Sequence, residues 1–122
     1  MSPISADLKS QAIATKGFMP EVEGDALYEA ANLACRQNPG KPIVEVGTYC
    51  GRSTIWLATA AKKNKTYLFT VDHHFGSEEN QQGWEWFDES LIDPKTQKLN
   101  TLPTLIQTLN RTKISRSVVP IV

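Results

Sequence analysis

The chain has 122 residues, 40% of them hydrophobic and 21% charged, which suits one small globular domain and excludes a disordered or fibrous chain. Thirteen basic residues cancel thirteen acidic ones, so no net field recommends nucleic acid or an anionic membrane as a partner. Two cysteines, with neither CxxC nor zinc spacing, argue against a disulfide framework or a zinc centre and read as reduced thiols of a cytoplasmic protein.

The N-terminus MSPISADLKSQ has no basic stretch followed by an apolar one, so it is not read as a signal peptide. No apolar run nears the roughly 20 residues of a membrane helix. Residues 4–15 suit a short helix, broken at Gly17 and Pro20. From Glu21 to Gln37 the pattern is helical, because Leu27, Ala30, Ala31 and Ala34 recur at i, i+3, i+4 and i+7. Pro39, Gly40 and Pro42 end it. PIVEVG follows as a β-branched, nearly continuous apolar strand, a pattern that predicts burial on both faces. Arg52 to Lys63 is the next helix, and Thr66 to Asp72 the next strand. HHFGSEENQQG is a loop, WEWFDESL a short helix, and IDPKTQKLN a second loop. Thr101 to Thr112 is helical, with Pro103 tolerable in its first turn. SVVPIV is a third strand.

Alternation of helix and strand predicts an α/β fold whose parallel sheet is built by helical crossovers. In such sheets a ligand lies beyond the carboxyl ends of the strands. Gly47 and Gly51 bracket the turn after the first strand, where the absence of a Cβ lets backbone approach a ligand. The helix behind the turn directs free N–H groups and a positive dipole end at the same place. A P-loop needs GxxxxGK[ST], and no lysine follows Gly51. A dinucleotide fingerprint needs GxGxxG, and Thr48-Tyr49 stands where its middle glycine would be. A phosphate-free cofactor is the third reading.

VEVGTYCGRSTIWLA resembles motif I of class I S-adenosylmethionine-dependent methyltransferases, in the form seen in catechol O-methyltransferase and its relatives. The following DHHFGSEENQQGWEWFD is similar to a segment of a small, mostly bacterial branch with a D-H-H-x-G-S-E-E pattern. The resemblance covers about Gly17 to Val122. It implies a Rossmann-like three-layer fold, a partial parallel sheet of about three strands in order 3-2-1 with flanking helices, and S-adenosyl-L-methionine as cofactor. Residues 1–40 would form an N-terminal helical segment, and residues 41–122 the cofactor-binding half of a methyltransferase domain. By resemblance Glu45 orients the methionine amino group, and Gly47, Thr48, Tyr49 and Gly51 form the backbone wall. Ser53 would bind the methionine carboxylate and Asp72 both ribose hydroxyls, while His73 would touch cofactor or acceptor. Trp84, Trp86 and Phe87 could wall the adenine or an acceptor pocket. Bland readings stand beside these: plain turn glycines, Ser53 and Asp72 as caps, loop histidines, and the Trp84, Trp86 and Phe87 cluster as packing of a loop helix onto the sheet. His73 and His74 are adjacent and would not readily share a metal, so no metal site is expected.

The resemblance implies methyl transfer to a small molecule, with an oxygen acceptor as the expectation. The catalytic base and any metal ligands would belong to a fourth strand not in this sequence. The first strand would then be an exposed edge, completed by a missing C-terminal half or by a second copy, with little turnover from these residues alone. A dinucleotide-binding domain of an oxidoreductase and a non-catalytic binding module are the alternatives.

Overall fold

The computed structural model describes residues 2–122. Helices α1 (Ala6–Ala14) and α2 (Glu21–Gln37) precede strand β1 (Ile43–Val46). Helix α3 (Arg52–Lys63), strand β2 (Leu68–Val71), helix α4 (Leu102–Thr112) and strand β3 (Val118–Ile121) follow. The three strands are parallel, in order β1-β2-β3, which is the expected 3-2-1 order read from the opposite edge. Ile43 aligns with Leu68 and Val118, and Glu45 with Thr70 and Pro120.

That register sorts the strands into two faces. Ile43, Leu68 and Val118 join a core with Ala12, Tyr28, Ile55, Trp56, Leu105 and Leu109, so all four helices pack against this side. Residues from α1 and α2 share this core with those of the later elements. A Cβ on Gly24 would fall 2.4 Å from the Trp56 indole, so α2 carries a glycine where it crosses α3. The opposite face presents Val44, Val46, Phe69, Val71, Val119 and Ile121. Val44 is 63% exposed and Val46 81%. The expectation that β1 is buried on both faces is therefore corrected. Its apolar run is continuous, but only one face carries a helical layer among the described residues.

The segment between α1 and α2 wraps around one arginine. Arg52 donates from Nε to the Met19 carbonyl at 2.8 Å and from Nη1 to the Ile13 carbonyl at 2.8 Å. This brings Phe18 over the turn that follows β1.

The expected WEWFDESL helix is absent; only Glu89–Leu91 forms a 3-10 turn, and Glu78–Asn80 forms another. Side chains take the backbone groups a helix would need. Asp88 accepts from the Ser90 amide at 3.0 Å, and Asn80 accepts from the Ser77 amide at 2.9 Å. An antiparallel bridge between Ile92 and Leu99 closes the following loop.

Candidate functional site

Three hydroxyl-bearing side chains donate to the single acid of β1, and a fourth reaches it through one of them. Glu45 is buried, and its Oε2 accepts from Ser53 Oγ at 2.7 Å. Its Oε1 accepts from Thr54 Oγ1 and Thr70 Oγ1, each at 2.7 Å. A hydroxyl has one hydrogen to give. Thr70 gives its own to Glu45, so Thr48 is the donor in the Thr48–Thr70 bond. The chain Thr48 to Thr70 to Glu45 thus fastens the turn to β2 and β1, and Ser53 and Thr54 fasten the first turn of α3 to the same acid. A carboxylate offers about four lone-pair sites. Three are filled here, which leaves one for a ligand.

The turn itself is unusual at three successive corners. Gly47 has φ +94° and Gly51 has φ +95°, both left-handed, and Tyr49 between them has φ +52°. The left-handed Tyr49 aims its N–H at Asp72, which accepts it on Oδ2 at 2.8 Å. Asp72 Oδ1 accepts the His74 amide at 2.8 Å. Burial works against the Asp72 charge, but these two N–H groups and the nearby His74 and His73 hold its pKa below the ordinary 3.8. Asp72 is therefore ionised at neutral pH, and each of its oxygens retains acceptor capacity toward a ligand.

Above Asp72 lies a cavity of about 430 Å³. Phe18, Tyr49 and Trp86 wall one part of it, with the Phe18 ring 5.2 Å from Tyr49 and 4.8 Å from Trp86. Glu79 adds a second carboxylate, and neither lysine nor arginine lines it. Of the residues expected from the sequence, Gly47, Tyr49, Asp72 and His73 line this cavity. Glu45, Thr48 and Ser53 form the network beneath. Gly51 stands apart: a Cβ there would meet Leu105 Cδ1 at 2.9 Å and Thr108 Cγ2 at 3.2 Å, so its vacancy accommodates α4 and not a ligand. Phe18, Glu79, Asn80 and Thr101 were not expected in the wall. Phe18 had one signal, an aromatic between Gly17 and Pro20 with no helical partner.

The two histidines diverge. His74 is buried, with Nδ1 2.6 Å from Thr101 Oγ1, and its carbonyl accepts the Thr101 amide at 3.0 Å. It ties the turn after β2 to the start of α4. His73 is exposed, and its Nδ1 accepts the Phe75 amide at 2.9 Å. With Nδ1 engaged, Nε2 is the ring nitrogen left for other partners. Cys50 is fully buried and its thiol is pushed up to about 12, chiefly by burial, which removes it as a nucleophile.

Burial holds the His74 pKa below its ordinary 6.5, with His73 acting in the same direction and Asp72 opposing. The unfolded chain therefore binds a proton at a higher pH than the folded one does. Stability is complete above about pH 6.5 and is lost as pH falls from there toward the folded value. Thermal unfolding followed from pH 7.5 to pH 5.5 should show a falling midpoint. His74→Gln should start lower and flatten that slope; an equal slope in both proteins would remove His74 as its source.

A family model described as a methyltransferase domain matches residues 44–117. Among solved structures, the chain resembles the methyltransferase PaMTH1 of Podospora anserina, determined with SAH bound. The TM-score is 0.56 at 15% identity, over 98% of this chain and 42% of that one. It also resembles a Klebsiella pneumoniae protein named for an inferred O-methyltransferase activity. There the TM-score is 0.50 at 17% identity, over 93% of this chain and 39% of that one. The chain thus spans less than half the length of either.

Proposed function

We propose, for a chain that belongs to the methyltransferase domain family, that the cavity over Gly47 and Asp72 holds S-adenosyl-L-methionine and serves methyl transfer to the oxygen of a small molecule. The observation that carries this is the character of the wall. Three aromatic rings and two carboxylates, without lysine or arginine, suit a sulfonium cation attached to a ribose. Asp72 offers ionised acceptors to the two ribose hydroxyls. The same wall opposes a pyrophosphate, and the Tyr49 ring stands where a dinucleotide loop keeps its middle glycine. The oxidoreductase reading is therefore the weaker one.

The network refines the roles that the family resemblance gives to two residues. Glu45 has one acceptor site left for the methionine ammonium. Ser53 has committed its hydrogen to Glu45, so toward a ligand it is an acceptor and not the donor a carboxylate requires. The carboxylate falls instead to the backbone N–H groups at the first turn of α3, whose N-cap Gly51 supplies no side chain.

S-adenosyl-L-methionine held over Gly47 and Asp72 would supply an electrophilic methyl on a sulfonium. The residues of this chain contribute binding and alignment. No helix among the described residues is long and apolar enough to cross a membrane. The two unpaired thiols, Cys35 and Cys50, favour a reducing, cytoplasmic setting. The uncovered face and edge of β1 favour completion of the sheet by further chain or by a second copy.

Calorimetric titration with S-adenosylhomocysteine, with NAD in parallel, tests the reading. Heat with the first and none with NAD is expected. NAD binding would move the protein to the dinucleotide-dependent oxidoreductases, and silence with both would favour a non-catalytic module.

A further inference from the structure

The zero net charge conceals two poles. Residues 72–93, which begin at the carboxyl end of β2 and help to line the cavity over Asp72, hold acids and neither lysine nor arginine. The amino ends of the strands are the reverse. Ile43, Leu68 and Val118 are in register, so Lys41, Lys65 and Arg116 lie just before them along one edge. Thr66 Oγ1 donates to the Lys41 carbonyl at 3.0 Å and ties the first two strand entries together. The last turn of α3 adds Lys62 and Lys63, and Lys113 caps the end of α4. Asn64 Nδ2 donates to Asn32 Oδ1 at 2.7 Å, which holds the end of α2, with Arg36, alongside. Segments 33–43, 61–68 and 110–118, which build this floor, contain no acid. These cations are exposed, and none of them is in an ion pair among the described residues. We propose that this floor binds a single strand of nucleic acid, with phosphates on the cations and a base stacked on Tyr67.

Helix dipoles account for part of the pattern, since a cation in the last turn answers the negative end of a helix. Lys41, Lys65 and Arg116 stand outside α2, α3 and α4, so the dipoles do not place them. Adjacent strands lie about 4.8 Å apart, which sets these three backbone positions within roughly 10 Å, in reach of neighbouring phosphates of one strand. Tyr67 lies between Lys65 and the start of β2 and is 55% exposed. An exposed ring beside a row of cations suits unpaired bases, because every base has a face that stacks on an aromatic side chain. A duplex hides those faces from Tyr67. A membrane surface takes apolar wedges such as Trp, Phe or Leu, and the exposed side chain between these cations carries a phenolic hydroxyl. The acids around the first cavity repel a polyanion. The bound strand therefore lies at the opposite end of the β-strands from the methyl-donor site and is not the methyl acceptor. This inference stands independently of the methyl-donor reading.

The test is fluorescence anisotropy of a labelled oligouridylate of about twelve nucleotides, a length within the span of single-strand sites, titrated with the chain over a salt series. Binding with a Kd on the order of 10 μM in low salt is expected, weakening steeply as salt rises. Lys63→Gln and Arg116→Gln should each weaken binding and lower the slope of log affinity against log salt by about 0.7, one phosphate contact apiece. Tyr67→Ala should weaken binding about tenfold and leave that slope unchanged, and Tyr67→Phe should bind as the original does. Circular dichroism of each variant shows whether the fold is kept. No binding at about 100 μM chain in low salt would overturn the proposal. So would a duplex of the same length bound as tightly as the single strand, or a salt slope that none of the cation variants moves. Binding to phosphatidylserine vesicles with none to the oligonucleotide would replace the nucleic acid by a membrane surface.

Discussion

Asp72→Ala should weaken S-adenosylhomocysteine binding by about 100-fold or more. The estimate comes from two hydrogen bonds between ribose hydroxyls and an ionised carboxylate, each worth roughly 1.5–3 kcal/mol. Alanine also releases the Tyr49 and His74 amides, so the left-handed corner at Tyr49 loses the acceptor that fixes it. Asp72→Asn separates these effects. Asparagine keeps one acceptor oxygen for the backbone and loses the charge and the second acceptor, so an intermediate loss is expected. Calorimetry on both variants, with circular dichroism to show retained fold, measures this. An alanine variant that binds within threefold of the original would remove Asp72 from the site.

Glu45→Gln acts on stability before it acts on binding. Three hydroxyls now donate to a charged acceptor, and the amide offers a neutral oxygen and an NH₂ that meets a hydroxyl head-on. Exchanging hydrogen bonds to a charged group for neutral ones costs about 1 kcal/mol each, and one is lost outright. A loss of about 2–4 kcal/mol follows. Urea denaturation should show a lower midpoint with an unchanged slope. Binding should fall too, since the first turn of α3 is no longer fixed to β1. A variant as stable as the original would mean that the hydroxyl cluster is satisfied by water as well as by the acid.

The elements that the sequence marks most clearly are those governed by local rules. Helices α2 and α3 begin and end where their apolar spacing and the Pro and Gly residues place them, and the β1 turn announces itself through its glycines. Gly47 and Asp72 were legible because a ligand turn and a strand-end acid sit at a fixed interval in a βαβ unit. Trp86 was legible as a pocket wall, but Phe18 and Glu79 were not, because they reach it only through the wrapping of one segment around Arg52 and the turns of another. The face of β1 was misjudged for a related reason. An apolar run says which residues tolerate burial, not whether a layer arrives to cover them. The WEWFDESL segment failed because Asp88 and Asn80 satisfy backbone groups locally, a competition that hydrophobic spacing does not register. Ser53 could be placed at the start of α3 from its position, but the direction of its hydrogen depends on Glu45.

Gly51 carries a consequence for how sequences of this kind are recognised. The two glycines of the turn answer to different demands: Gly47 opens on the cavity, and Gly51 makes room for Leu105 and Thr108. A descendant that gave up its ligand would be free to change Glu79 and the aromatic wall, while Gly47 and Asp72 would still be held by the left-handed turn. A side chain at Gly51 would press on Leu105 and Thr108 and strain a left-handed backbone whether or not a ligand is bound. The spaced glycine pair is thus partly a record of ancestry and folding, and a search keyed to it will collect retired proteins along with working ones. The separating information lies in Glu79 and Phe18, which line the cavity without fixing the turn.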